Sequence, residues 1–318
     1  MAIKSIPWRS LLDLRKVARH YGDDLLDISP GESFLSLREA HELLENVPDS
    51  RWRHCLNKEG KLELAALSDS VDFLEIFSRS GNLTLGAARQ GLQVGPIIDK
   101  RPGIGHDDAF SIDIEKASDR KLVWALVVVL RPRWIHCGFP CTFWVMISHW
   151  TRERDLDRNE RDRMESLLYI TFSRQLVYYQ ASHRRHSSIE NPKGSVAWDL
   201  DIVQDMMGAS NLCCVGVPLC AWGVKGMWSG KFFDKTMRFA CTFAMEPLAR
   251  KCPKDHEHQR VVKLFAQKRG EPDPAHSYRN WRKDACVISA QYPLPFCEAW
   301  VTLAKTLIPP AAAFLSLR

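Results

Sequence analysis

No apolar run in this 318-residue chain approaches the ~20 residues that a membrane-spanning helix needs. The longest, LVWALVVVL at 122–130, has the length of one buried element, so a protein without membrane spans is expected. The opening residues, MAIKSIPWRSLLDLRK, lack both a long apolar segment and a small-residue cleavage site. That argues against a secretory signal and for an intracellular location. A large excess of one charge is also missing. The 44 basic residues against 38 acidic ones leave a net charge of +6, which favours polyanionic partners only mildly and does not by itself specify a nucleic-acid binder. The ten cysteines show no framework spacing and read as reduced thiols and candidate metal ligands in a reducing compartment.

What is present is enough apolar sequence, 45% of residues, for one substantial core of Rossmann size with a small appendage. Residues 1–68 are rich in Leu, Arg and Glu and repeat their apolar residues at helical spacing, first in SIPWRSLLDLRKVARHY and then in SFLSLREAHELLENV. This predicts a helical N-terminal extension. Its second helix should be capped by Ser33 or Ser36 and stop near Pro48-Asp49-Ser50. From Val71 the texture changes to short apolar runs, VDFLEIF, LQVGPIID, LRPRWIHCGFPC, HSSIENP and LCCVGVPLCAWG, each ending in Gly, Pro or an acidic residue, with helical stretches between them. Such alternation predicts an α/β fold, doubly wound around a mostly parallel sheet, with ligands bound beyond the carboxyl ends of the strands.

The turns after those runs are therefore where chemistry is sought. Phe77, Ser78, Ser80 and Gly81 form a turn that admits close approach of a nucleotide-like molecule, or else an ordinary strand-to-helix connection. Asp99 ends the second run, where a carboxylate can accept from both hydroxyls of a ribose; aspartate is also a common turn former. Asp113 is placed to receive a base amino group, with Asp107 and Asp108 as nearby alternatives. In His136-Cys137-Gly138-Phe139-Pro140-Cys141, Pro140 holds Cys141 on a rigid turn where a thiolate can face a substrate, while Cys137 reads as buried. Another run ends in Glu190-Asn191-Pro192, a carboxylate for a heterocycle and an amide to fix the loop. Further on, Cys252, His256 and His258 bring three zinc ligands within seven residues, with Cys220, Cys241 or Cys286 as a fourth; the histidines read equally as exposed polar residues. Of two arginine-rich segments, 151–163 is balanced by acid and reads as a solvated helix. His183-Arg184-Arg185-His186 is the better basic patch.

In this order, LEIFSRSG, IID, GFPC and an ENP turn followed by Trp198 resemble the cytosine carbon-5 DNA methyltransferase family over roughly residues 70–300. Ala290-Gln291-Tyr292-Pro293-Leu294-Pro295 looks like that family's last motif, whose helix returns to the cofactor site. FFDKTMRFACTFAMEPLARKCPKDHEH looks like divergent phage- and retroelement-associated members. The resemblance implies a seven-stranded, Rossmann-like methyltransferase domain over 69–318 with a small Cys/His lobe at about 236–288. It implies S-adenosylmethionine as cofactor, held by Phe77, Ser78, Ser80, Gly81, Asp99 and Asp113; structural zinc in the lobe rests on the reading of Cys252, His256 and His258 as ligands.

By the same resemblance, Cys141 attacks carbon 6 of a flipped cytosine, supported by Pro140, Glu190 and Asn191. The expected partner is nucleic acid, DNA ahead of RNA, and the expected location nuclear if DNA is the substrate. A degenerate nucleic-acid-binding or adaptor module from a mobile element is the alternative. Arg79, where the family usually has a second glycine, and Phe139, in place of the first proline of the cysteine loop, depart from the pattern. The roughly 95 residues between the ENP turn and the final motif leave little space for a large target-recognition domain.

Overall fold

In a computed structural model of the chain, residues 35–64, 70–101, 110–145, 156–226, 230–259 and 290–308 are described, together with Val17, Arg19 and Tyr21. Most of the first expected helix, Asp107, Asp108, residues 146–155, Cys286 and residues 260–288 of the expected lobe lie outside the described residues.

Helix α1 (Leu37–Glu45) starts where its capping chemistry dictates. The Ser36 hydroxyl accepts from the Glu39 amide at 3.3 Å, and the Glu39 carboxylate accepts from the Ser36 amide at 2.8 Å. Its buried residues, Ala40 and Leu44, join the main core rather than forming one of their own. A two-stranded antiparallel ribbon follows, β1 (His54–Leu56) with β2 (Leu62–Leu64).

The centre is a five-stranded mixed sheet. Its members, with intervening helices in chain order, are β3 (Phe73–Ile76), α2 (Asn82–Arg89), α3 (Ala117–Leu130), β4 (Trp134–Cys137), α4 (Leu156–Ser182), β5 (His186–Pro192), α5 (Asp201–Ala209) and β6 (Cys213–Pro218). After a two-residue strand β7 (Phe232–Phe233) come β8 (Thr236–Cys241), β9 (His258–Gln259) and α6 (Leu294–Leu307). The sheet order is β3-β4-β5-β8-β6, and β7 pairs with β9 outside it. Strands β3, β4 and β5 are parallel; β8 runs against both β5 and β6, so β6 points the same way as β5. Isolated parallel bridges continue the ladder beyond β3, Phe73 to Val94 and Ile76 to Ile98, and then Asp99 to Ser111.

Helices cover both faces because the strands are apolar on both. Leu74, Ile76, Ile135, Cys137 and Ile189 pack into one cluster with α3, α4 and α5. Phe73, Trp134, Phe239, Val215 and Val217 pack into a second with α2 and α6. Within each strand the two sets separate by the two-residue period of the pleat. Helices α2 and α6 meet where Gly86 has no side chain: a Cβ there would lie 3.0 Å from Cys297 Cβ. Trp134, Trp300 and Phe239 stack at centroid distances of 4.9–5.2 Å under α6.

Two sequence expectations change address. Residues 236–241, read as the start of the Cys/His lobe, form the strand between β5 and β6, because TMRFAC alternates buried and half-buried residues as a strand does. Cys213 and Cys214, in an apolar stretch of sequence, are exposed at the start of edge strand β6. No helix among the described residues is long and apolar enough to cross a membrane.

Candidate active site

The carboxyl ends of β3, β4 and β5 bring three of the singled-out turns to one edge of the sheet. In the first, from Phe77 to Gly81, the residues Phe77, Arg79 and Gly81 all have positive φ, 63°, 40° and 66°. Two non-glycine residues in the left-handed region mark a tightly wound turn that costs about 1–2 kcal/mol per such residue. The amides of Phe77 and Ser78 donate to the Ile98 carbonyl at 2.9 and 3.2 Å. Asp99 closes the turn from the next segment, its two oxygens accepting from the Arg79 amide at 2.9 Å and the Arg101 amide at 2.7 Å. Burial raises the Asp99 carboxyl pKa against those bonds.

Ser78 is buried, its hydroxyl donating to the Ile98 carbonyl at 3.4 Å, and Ser80 accepts from the Asn82 amide at 3.4 Å. Both hydroxyls thus have local structural partners. The helix that follows is capped by tertiary means. Glu75, buried within β3, accepts from the Thr84 amide at 2.9 Å and the Thr84 hydroxyl at 2.6 Å, satisfying a first-turn amide of α2. Burial pushes its pKa up to about 7.

The second and third turns meet. Asn191 donates from Nδ2 to the Phe139 carbonyl at 3.0 Å, which ties the Glu190-Asn191-Pro192 segment to the Phe139-Pro140-Cys141 loop. Trp198 donates to the Pro192 carbonyl at 2.9 Å, and the Val196 amide donates to the Trp144 carbonyl at 3.0 Å, a second tie between the same two stretches. Phe139, where the resemblance has proline, is 2% exposed and anchors the loop by its ring. The Cys141 thiol is pushed up by burial; the Lys235 charge pulls it down, Glu190 raises it, and Arg79 lowers it. Cys137 is fully buried in the core, as its sequence context suggests.

Glu190 ends a chain of buried polar side chains. Trp134 Nε1 donates to Ser188 Oγ at 2.8 Å, and Ser188 Oγ lies 2.9 Å from His136 Nδ1. His136 Nε2 lies 3.1 Å from Tyr292 Oη, which donates to Glu190 Oε2 at 2.7 Å. With Glu190 ionised, one tautomer satisfies every link: Tyr292 donates its proton to Glu190, so His136 Nε2 carries a hydrogen and Nδ1 accepts from Ser188. Burial lowers the His136 pKa to about 3, which keeps the ring neutral, as this direction of donation requires. Burial likewise raises Glu190 to about 7, opposed by the Tyr292 bond and Lys235. Its other oxygen, Oε1, and Asn191 Oδ1 have no hydrogen-bond partner among the described residues. Gly138 lets this chain pass closely: a Cβ would lie 3.0 Å from Tyr292 Oη, a crowded contact, and 3.5 Å from His136 Nε2. Tyr292 also brings α6 back to the first turn, its carbonyl accepting from Asn82 Nδ2 at 2.8 Å.

Asp113 lies two residues past Ser111, which is bridged to Asp99. Asp113 is engaged by Lys100 at 3.2 Å and accepts from the Glu115 amide at 3.2 Å. The basic run His183-Arg184-Arg185-His186 lies at the amino end of β5, since His186 pairs with Trp134 at the start of β4. It faces the edge opposite Glu190 and cannot serve the turns; charge density in a sequence has no address until the strand direction is fixed. Cys252, His256 and His258 do converge, and Cys220 rather than Cys241 joins them.

The polar residues that sequence reading missed are His136, Ser188 and Tyr292 of the chain, Glu75, and Lys235. For His136 and Glu75 the available signal was a polar side chain inside an otherwise apolar strand, WIHC and FLEI. No family model matches the chain, and no curated protein matches it.

Proposed function

We propose that the chain is an S-adenosylmethionine-dependent methyltransferase acting on carbon 5 of cytosine in DNA. The observation that carries this reading is the Asn191 bond to the Phe139 carbonyl, which ties the loop of Cys141, a thiol on a proline turn, to the segment of Glu190, a buried carboxyl whose Oε1 has no partner among the described residues. An unpaired buried carboxylate oxygen costs about 1–3 kcal/mol or more unless a ligand donor meets it, and the amino group of cytosine is such a donor. The sheet adds support. The sheet has five strands, of which only β8 is reversed, and isolated parallel bridges at Val94, Ile98 and Ser111 lie on its β3 side, which is compatible with a mostly parallel methyltransferase sheet.

The turn from Phe77 to Gly81 and Asp99 would hold the cofactor, Asp99 through lone pairs left beyond its two amide bonds. When bound, S-adenosylmethionine supplies an electrophilic methyl group. The Cys141 thiolate adds to carbon 6 of the extruded base and makes carbon 5 nucleophilic. Glu190, with a pKa near neutrality, shares its proton with the ring nitrogen and stabilises the charge that develops there. After methyl transfer, water takes the carbon-5 proton, the sulfur–carbon bond breaks to expel Cys141 as the thiolate, and Glu190 takes back the proton it shared with the ring nitrogen. The Asn191 bond to Phe139 keeps the two groups in register, and Lys235 favours the thiolate.

Labelled methyl transfer to cytosine-containing DNA tests the reading. Cys141→Ser is expected to abolish transfer and to leave S-adenosylhomocysteine affinity unchanged. Transfer that survives the substitution, or transfer to RNA alone, contradicts it.

A second reading is a non-catalytic nucleic-acid-binding module, and Arg79 favours it: an exposed cation at φ 40° stands in the cofactor turn, and its charge reaches Cys141. That module would bind nucleic acid with steep salt dependence and transfer no methyl group.

A further inference from the structure

We infer that Cys220, Cys252, His256 and His258 form a closed, structural zinc site that fastens the segment after β8 to the turn after β6. The inference stands independently of the methyltransferase reading. The four ligand atoms all lie within 4.8 Å of one another. Cys252 Sγ is 3.6 Å from His256 Nε2 and 3.3 Å from His258 Nε2, and the two Nε2 atoms are 3.1 Å apart. A tetrahedral zinc with bonds of ~2.0–2.1 Å to nitrogen and ~2.3 Å to sulfur sets ligand-to-ligand edges of roughly 3.3–3.8 Å, the longest between the two sulfurs. The three edges among Cys252, His256 and His258 are already near those lengths, and Cys220 lies within 4.8 Å of each.

Without metal the same groups can meet as hydrogen-bond partners, Cys252 Sγ or His258 Nε2 donating to His256 Nε2; what favours a metal is the donor set and its support. Asp255 Oδ1 accepts from His256 Nδ1 at 2.8 Å, so the neutral ring turns a bare lone pair, at Nε2, into the cluster. A carboxylate behind a ligating histidine is the usual support of such a ligand. The thiol of Cys252 has its own support, the Lys254 amide at 3.4 Å, made possible by the left-handed φ of 60° at Lys254. Two sulfurs and two imidazoles complete a tetrahedron of borderline-soft ligands with no position left for substrate, which selects zinc and a structural role.

The topology shows what the metal would hold. From Cys241 the chain returns along the edge of the sheet with only a 3-10 turn (Glu246–Leu248) and the two residues of β9 as regular structure. Cys220 belongs to the 3-10 turn Leu219–Trp222 that ends β6. The two stretches touch where Arg250 lies 3.8 Å over the Trp222 ring and Trp222 Nε1 donates to the Leu248 carbonyl at 3.3 Å. His258 is paired with Phe232 of β7, and the Leu219 amide donates to the Lys235 carbonyl at 2.9 Å. One ion would thus lock together the turn after β6, the approach to β8 and the returning chain.

The test uses the full chain. Protein purified without chelator is expected to contain about one zinc per chain by elemental analysis. Exchange into cobalt(II) should give the ligand-field and thiolate-to-metal bands of a tetrahedral centre. Cys220→Ser should lower zinc affinity at least 100-fold. Asp255→Asn, which keeps all four ligands and so guards against a merely unfolded variant, should lower it ~10–100-fold. Failure of the wild type to take zinc from a chromophoric chelator would overturn the inference, as would a Cys220→Ser protein that binds zinc as tightly as the wild type.

Discussion

Replacing Glu190 by Gln removes one titrating group from the buried chain and leaves its shape intact. In the folded protein the Glu190 pKa rises from 4.5 to about 7, first because burial penalises the charged form. Between those values the folded state keeps a proton that the unfolded chain has released. Stability therefore falls as pH rises through this window and levels off above about 7. A rise of that size corresponds to about 3 kcal/mol for a fully buried group. The amide of the Glu190→Gln protein has no such dependence, and its side-chain carbonyl can still accept from Tyr292. Glu75, raised to about 7 in the same way, and His136, lowered to about 3, bend the pH profile of both proteins alike and cancel in the difference. Urea unfolding of the two proteins side by side is the assay. The Glu190→Gln protein should gain about 2–3 kcal/mol on wild type between about pH 5 and about pH 8. A difference independent of pH would refute the reasoning, because it would mean that Glu190 ionises in the fold much as it does in the unfolded chain.

Further outcomes follow from the same geometry. Gly138→Ala places a methyl 3.0 Å from Tyr292 Oη and should cost about 1–3 kcal/mol in urea unfolding. Trp300→Ala empties a fully buried site between Trp134 and Phe239 and should cost about 3–5 kcal/mol in the same assay. Arg79→Gly relieves a left-handed residue at φ 40° and should raise stability by up to about 1 kcal/mol, measured as a higher urea midpoint at unchanged slope. Ser36→Ala removes the capping box of α1 and should lose about 0.5–2 kcal/mol.

The parts of the fold governed by local pattern were legible in the sequence. The apolar runs before Ser78, Gly138 and Glu190 became three adjacent parallel strands, and Ser36 capped its helix because both halves of the capping box lie within four residues. Strand β8 was obscured by the cysteines and histidines downstream, which drew its residues into an expected lobe. The chain from Trp134 to Glu190 was hidden for a different reason: Tyr292 meets Glu190 across 102 positions and His136 across 156, and no periodicity encodes such pairings. Cys220 could be chosen over Cys241 only once the turn after β6 was seen to lie beside Cys252. Asp99 was expected to await a ribose, but its backbone partners at Arg79 and Arg101 depend on the strained shape of the turn, which one glycine in the sequence does not specify.

Calorimetric titration with S-adenosylhomocysteine, comparing wild type with Arg79→Gly, bears most directly on the proposed activity, since every enzymatic step needs the turn between β3 and α2 to accept the cofactor. Micromolar binding by the wild type, worth about 8 kcal/mol, and tighter binding by Arg79→Gly are expected. Binding only after Arg79→Gly would make the chain a non-catalytic relative with a blocked turn. Absence of binding by both proteins would contradict the cofactor assignment and, with it, the methyltransferase reading.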